Sequence, residues 1–195
     1  MKKLIISILV AALILFGASY GLQGVAAAKA QSEHLRLMQT ILPGSENFTV
    51  EPYSGEDANI VSVHKGENGF VIETVTYGYA DNINMLIGVS NAGRVTGLVV
   101  QEAHETPGLG NEALTDHVFL AQFLNGSGNF AVATHGADAF TGATGEVESA
   151  EGETVDVDAI TGATVTSKAV VRCVNSAVAY VTGADAVSAA TTWGG

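Results

Sequence analysis

The chain has a single cysteine, Cys173, among its 195 residues. One thiol cannot close an internal disulfide, and it cannot furnish a four-cysteine zinc or cluster site. Cys173 sits among apolar residues, so a buried, inert thiol is expected. Basic residues are scarce too: eight Lys and Arg stand against 20 Asp and Glu, for a net charge of −12. Two of the eight, Lys2 and Lys3, lie in the first 28 residues, which leaves six for the rest. Such a chain lacks the basic face that nucleic acid requires, and its surface repels anionic lipid headgroups. The acidity suits solubility or cationic partners. No dinucleotide-binding glycine fingerprint and no P-loop is present, and no nucleophile, base and orienter can be grouped. NAD binding and hydrolysis are therefore not expected of this chain. The five histidines (34, 64, 104, 117 and 135) form no i, i+4 pair in a carboxylate setting, so no metal site is expected.

Charge is also missing from one long stretch. Between Lys3 and Lys29 lie 25 uncharged residues, and residues 4–16 are almost purely Leu, Ile, Val and Ala. That length spans a bilayer. The lysines before it place the N-terminus in the cytoplasm and the acidic body outside. Residues 1–28 are thus expected to be a transmembrane anchor. A cleaved signal peptide is the alternative, because Ala26, Ala27 and Ala28 offer small residues to a peptidase.

Beyond the anchor, Leu35, Met38 and Leu42 fall at helical spacing before Pro43-Gly44 stops the run. Residues 29–58 read as a stalk or packing helix followed by a linker. From Asn59 to Val100 the pattern is that of antiparallel strands. Val61 and Val63 alternate with polar neighbours, and the segments at 70–75, 85–89 and 95–100 are rich in strand formers. Asn91-Ala92-Gly93 marks a tight turn between the last two. In HETPGLG, residues 104–110, Pro107-Gly108 fits the centre of a type II turn. A helix is predicted over 112–124, with Leu114, Val118 and Ala121 as its stripe, then a strand over 130–134. Residues 135–157 hold little apolar pattern and many acids, and read as an exposed loop. A strong amphipathic helix is predicted over 166–181. Val170, Val174, Ala177, Val178 and Val181 form its apolar face, and Lys168, Arg172 and Asn175 its polar one. Thr166 or Ser167 is available to cap its start, and Gly183 ends it. Residues 183–195 read as a frayed tail.

The phrase DAFTGAT at 138–144 recurs as DAITGAT at 158–164. The flanks differ too much for a stacking repeat. Only the second copy opens a helix, where unpaired N–H groups and the helix dipole favour phosphate. Gly162 would let a ligand approach the backbone, and Thr161, Thr164, Thr166 and Ser167 supply hydroxyls. An elaborate helix cap is the other reading of the same residues.

DAITGATVTSKAVVRCVNSA resembles the flavinylation region of the FMN-binding domain family, and HETPGLG resembles that family's second signature. Behind an N-terminal anchor, the combination is similar to the subunits this family contributes to Rnf-type electron-transport complexes, and to those of the sodium-translocating NADH:quinone reductase. The resemblance implies an α+β architecture: an antiparallel sheet with helices, following the membrane helix and occupying 59–195. It implies FMN joined covalently, through its phosphate, to the hydroxyl of Thr164 by a flavin transferase. It implies cofactor contacts from Glu105, Thr106, Gly108, Leu109 and Gly110 on one side and Thr161, Gly162, Ala163, Val165 and Thr166 on the other. For Glu105, bracing the loop is an equal reading. Thr144 also satisfies the bare phrase but lacks the helix. The other subunits of a membrane complex are the implied partners, and that assembly would oxidise ferredoxin, reduce NAD and move Na⁺ or H⁺. A stand-alone flavin carrier and an anchored binding ectodomain without cofactor are the competing expectations.

Overall fold

A computed structural model of the chain describes residues 28–133 and 154–183. The expected anchor, apart from residue 28, lies outside them, as do the first TGAT, most of the acidic loop and the tail after Gly183. Among the described residues no helix is long and apolar enough to cross a membrane. The chain divides into two units, Met1–Leu37 and Met38–Gly195. In the first, helix α1 (28–41) carries an exposed Lys29–Glu33 pair at 3.9 Å. From Met38 onward α1 belongs to the second unit.

The second unit is built on a five-stranded antiparallel meander in the order β1-β2-β3-β4-β5. The strands are β1 (Thr49–Glu51), β2 (Ile60–Lys65), β3 (Gly69–Tyr77), β4 (Asn82–Ser90) and β5 (Val95–Ala103). Strand β1 falls in the stretch expected to be linker. Its three residues pair with the far end of β2, too short a run to register as a strand by alternation. Alternation places Val61 and Val63 on one face, but only Val63 is buried and Val61 is half exposed. The register between β2 and β3 shifts between Ile60 and Ser62, and this bulge turns Val61 outward.

Helix α4 (Thr164–Thr182) covers one face of the sheet. Its Val170, Val174, Ala177 and Val178 join Val63, Ile72, Ile87 and Val89 in the main core. The other face receives Met38, Ile41 and Leu42, which pack on Val71 and Leu86. The cross-strand pair Gly88 and Gly97 makes that approach possible, because a Cβ on either would strike the backbone of Ile41. Thr96 Oγ1 donates to Ile41 O at 2.6 Å and fixes the contact. A sheet covered on both sides buries β4 almost throughout, which explains its continuous apolar run.

The helix expected over 112–124 is two helices, α2 (Gly110–Thr115) and α3 (His117–Ala121). Asp116 divides them: its backbone is extended, and its carboxylate accepts from the N–H groups of Val118 and Phe119. The division leaves Leu114 buried and Val118 half exposed, so the stripe does not hold. Strand β6 (Phe130–Ala133) pairs in parallel with β7 (Val155–Asp158). Residues 155–157, expected in the exposed loop, therefore form a strand with Val155 and Val157 buried. Asn175, expected on the polar face of α4, is also buried. Its amide accepts from Phe130 N at 2.8 Å and donates to Phe130 O at 2.9 Å, so it docks β6 on α4.

Candidate functional site

Strand β7 ends at Asp158, and its backbone is held on both sides by Gln122. Asp158 N donates to Gln122 Oε1 at 2.8 Å, and Gln122 Nε2 donates to Asp158 O at 3.3 Å. The chain then turns through Ile160-Thr161-Gly162-Ala163, closed by Ala163 N to Ile160 O at 2.9 Å. Gly162 takes φ +80°, the left-handed conformation this position requires. Helix α4 starts directly after, at Thr164, with Ala163 as the flanking residue and no side-chain cap. Thr166 and Ser167 are therefore not caps but buried residues of the first turn. Ser167 Oγ donates to Ala163 O at 3.0 Å and accepts from Ile160 N at 3.3 Å, which pins the turn to the helix. Thr164 is left exposed as the first helical residue.

The second loop is built in the same way. Leu109 N donates to Thr106 O at 3.2 Å, and Gly108 has φ +79°, so Thr106-Pro107-Gly108-Leu109 is the expected type II turn. It lies against the first: Leu109 Cδ2 is 3.0 Å from where a Cβ on Gly162 would stand. A third segment joins them at the end of β3, where Gly78 N donates to Asp81 O at 2.8 Å and closes a turn that carries Tyr79. Arg172 of α4 reaches the same strand end, with Nη2 donating to Tyr77 O at 2.9 Å and Nε to Thr76 Oγ1 at 3.3 Å.

Glu105 ties the three segments together. It is only 7% exposed. Its Oε1 accepts from Tyr79 N at 2.9 Å and Ala80 N at 3.2 Å, and its Oε2 accepts from Thr166 Oγ1 at 2.9 Å. Of the two expectations for Glu105, the bracing one describes this geometry.

Between the segments lies a cleft of about 350 Å³, lined by Tyr79, Glu105, Thr106, Leu109, Gly110, Gly162, Ala163, Thr164, Val165 and Thr166. Its size is at the lower end for small-molecule sites. Eight of the ten residues expected to contact a cofactor line it, together with Thr164. Gly108 and Thr161 do not: Gly108 is the tip of its turn, with nothing within 4 Å of a Cβ there. Tyr79 is the addition. No sequence signal connects it to Glu105, 26 residues away; a Tyr-Gly-Tyr at a strand end is the most that could be noted. Tyr79, Leu109 and Val165 are large apolar side chains left exposed around the cleft, while the first turn of α4 offers N–H groups without intrahelical acceptors. An apolar wall beside a helix N-terminus suits a ligand with a flat ring at one end and a phosphate at the other. A second cleft, of about 460 Å³, lies at the other end of α4 among Asn91, Ser127, Asn129, Val178 and Thr182, and among the described residues no charged side chain lines it. Cys173 is fully buried, and burial pushes its thiol up to about 11, so it is not a nucleophile for either cleft.

The profile of the FMN-binding domain matches residues 78–179, just over half of the chain. The interval opens at the Tyr79 turn and closes near the end of α4, and it includes every residue lining the first cleft. Among curated proteins the chain is similar to the G subunit of the ion-translocating oxidoreductase complex of Erwinia tasmaniensis, 42% identical over 72 residues. The similarity spans 33% of this chain and about a third, 34%, of that relative.

Proposed function

We propose, from the premise that this chain belongs to the FMN-binding domain family, that it is a covalent-flavin electron carrier in an ion-translocating oxidoreductase complex of the Rnf type, corresponding to its G subunit. The observation that carries the attachment site is the placement of Thr164. Its side chain is exposed, it is the first residue of a 19-residue helix, and it lies on the cleft wall between Gly162 and Val165. A phosphoester at Thr164 Oγ1 would set the phosphate at the positive end of the α4 dipole. Leu109, Val165 and Tyr79 would then provide apolar contact for the ring. Bound FMN supplies the redox chemistry, and the chain supplies tether, orientation and electrostatics. Thr106 would contribute polar contact from the facing turn, and Gly110 would let that turn lie close.

Residues 1–28 would anchor the domain in the membrane, with the flavin on the extracytoplasmic side, and a flavin transferase would complete it. Ion movement and the ferredoxin and NAD reactions would belong to the assembly, reached through the neighbouring membrane subunits. The corresponding component of the sodium-translocating NADH:quinone reductase and a stand-alone carrier share this site and differ only in those neighbours.

Expression in a host that has the transferase tests the site. The denatured protein should fluoresce under ultraviolet light in a gel, Thr164→Ala should be dark, and Thr144→Ala should fluoresce like the parent. Fluorescence persisting in Thr164→Ala would remove the assignment. A parent protein that is itself colourless would support the cofactor-free reading.

A further inference from the structure

We infer that Glu105 is a positioning residue whose buried negative charge, held at the cleft wall, sets the reduction potential of the flavin low. The inference rests on the flavin reading above and goes beyond it, since a mere contact or loop brace need not carry charge.

Three features of the structure point this way. First, both carboxylate oxygens act only as acceptors, from Tyr79 N, Ala80 N and Thr166 Oγ1. An ionised carboxylate makes all three of these bonds without a proton of its own. Second, all three donors are neutral, so none of them cancels the charge. A charge held by dipoles keeps its field, whereas one held by a cation loses most of it at a distance. Third, the fold makes room for the group. A Cβ on Gly78 would strike Glu105 Oε1, and one on Gly110 would stand 2.6 Å from Oε2. Two segments therefore forgo a side chain around this carboxylate. Burying a charge is costly, and an amide would still accept from both N–H groups of the Tyr79 turn.

The consequence is electrostatic. Glu105 lines the same cleft as Thr164, close to the positive end of α4 through Thr166. An electron that enters the ring without a proton adds one negative charge to it. The helix terminus favours that charge and the carboxylate opposes it, more strongly than a solvated one would because Glu105 itself is largely buried. Glu105 thus offsets the helix dipole and keeps the flavin a low-potential carrier.

Glu105→Gln tests the charge apart from the clasp. The Gln oxygen can still accept from Tyr79 and Ala80, and its NH₂ can donate to Thr166 Oγ1, which turns to accept. In a reductive titration of the loaded protein with dithionite, normalised to flavin content, the midpoint should move to a more positive potential. Glu105→Asp, which keeps the charge, should stay nearer the parent than Gln does. A midpoint in Glu105→Gln that is unchanged or more negative would overturn the inference while leaving the flavin on Thr164 in place. Should the Gln variant fail to fold, the parent protein answers with sulfite. This anion bleaches flavins whose surroundings favour negative charge on the ring. The loaded parent should resist bleaching compared with free FMN, and a parent bleached as readily as free FMN would overturn the inference. A parent without flavin would instead refute the attachment reading.

Discussion

Replacing Gly110 with Ala sets two effects of known sign against each other. Gly110 is the first residue of α2, and its φ is not positive, so its backbone accepts any residue. Helix propensity alone would make Gly110→Ala stabilising, by at most about 1 kcal/mol. The new Cβ, however, would stand 2.6 Å from Glu105 Oε2, 2.7 Å from Thr166 Oγ1 and 3.1 Å from Glu105 Cβ. These atoms cannot swing away. Oε1 of the same carboxylate is held by two N–H groups, and Thr166 is part of the first turn of α4. Relief requires the Thr166–Glu105 hydrogen bond to open. A hydrogen bond to a charged group contributes about 1.5–3 kcal/mol. The net expectation is a loss of about 1–2 kcal/mol, or about 2–8 °C in the thermal midpoint for a chain of this size. Urea unfolding followed by far-ultraviolet circular dichroism measures it. Gly108→Ala is the control: nothing lies within 4 Å of its Cβ, and φ is +79°. Its cost is the left-handed backbone alone, about 1–2 kcal/mol. Gly110→Ala at or above parental stability would refute the picture of a rigid carboxylate clasp.

The rest of the core gives sharper tests of packing and of pH. Asn175→Ala leaves the N–H and C=O of Phe130 without their partner in a buried site. A loss of about 2–4 kcal/mol in urea unfolding is expected, and a loss below about 1 kcal/mol would show that water replaces the amide. The Cys173 thiol is pushed up, chiefly by burial, from 9.0 to about 11. A native protein that reacts with a thiol-specific disulfide reagent at about pH 8 as fast as the unfolded chain would contradict its burial. Because the folded protein holds this proton to a higher pH than the unfolded chain does, the stabilisation is complete below about pH 9 and disappears as pH rises to about 11. Cys173→Ala should flatten that part of the stability profile, and an identical decline in both proteins would refute the assignment.

What could be read along the chain was what local physics controls. Strands β2 to β5 follow from their strand-forming residues, and α4 from its valine stripe. The glycines of the turns at 93 and 108 follow from positive φ. The misreadings share a cause. A helix over 112–124 is sound by periodicity, but Asp116 caps a new helix at that point, and no pattern of apolar spacing contains that choice. Asn175 reads as polar and therefore outward; only the partner backbone of Phe130, 45 residues away, makes its burial favourable. Residues 155–157 read as loop because a strand of four residues with two acids acquires its reason from pairing with β6.

The same division applies to the site. Local sequence was enough to specify the two loops and a helix after the second TGAT, because turn glycines and amphipathic stripes are local properties; Thr164 was singled out only through the family resemblance, and the folded chain starts the helix there rather than at 166. It took the folded chain to make the two loops face each other across one cleft, to bring Tyr79 into its wall, and to let Glu105 brace three segments. Those relations join residues 26 and 61 positions apart through single hydrogen bonds. Such bonds exist only once the sheet has brought the ends of β3 and β5 and the start of α4 together.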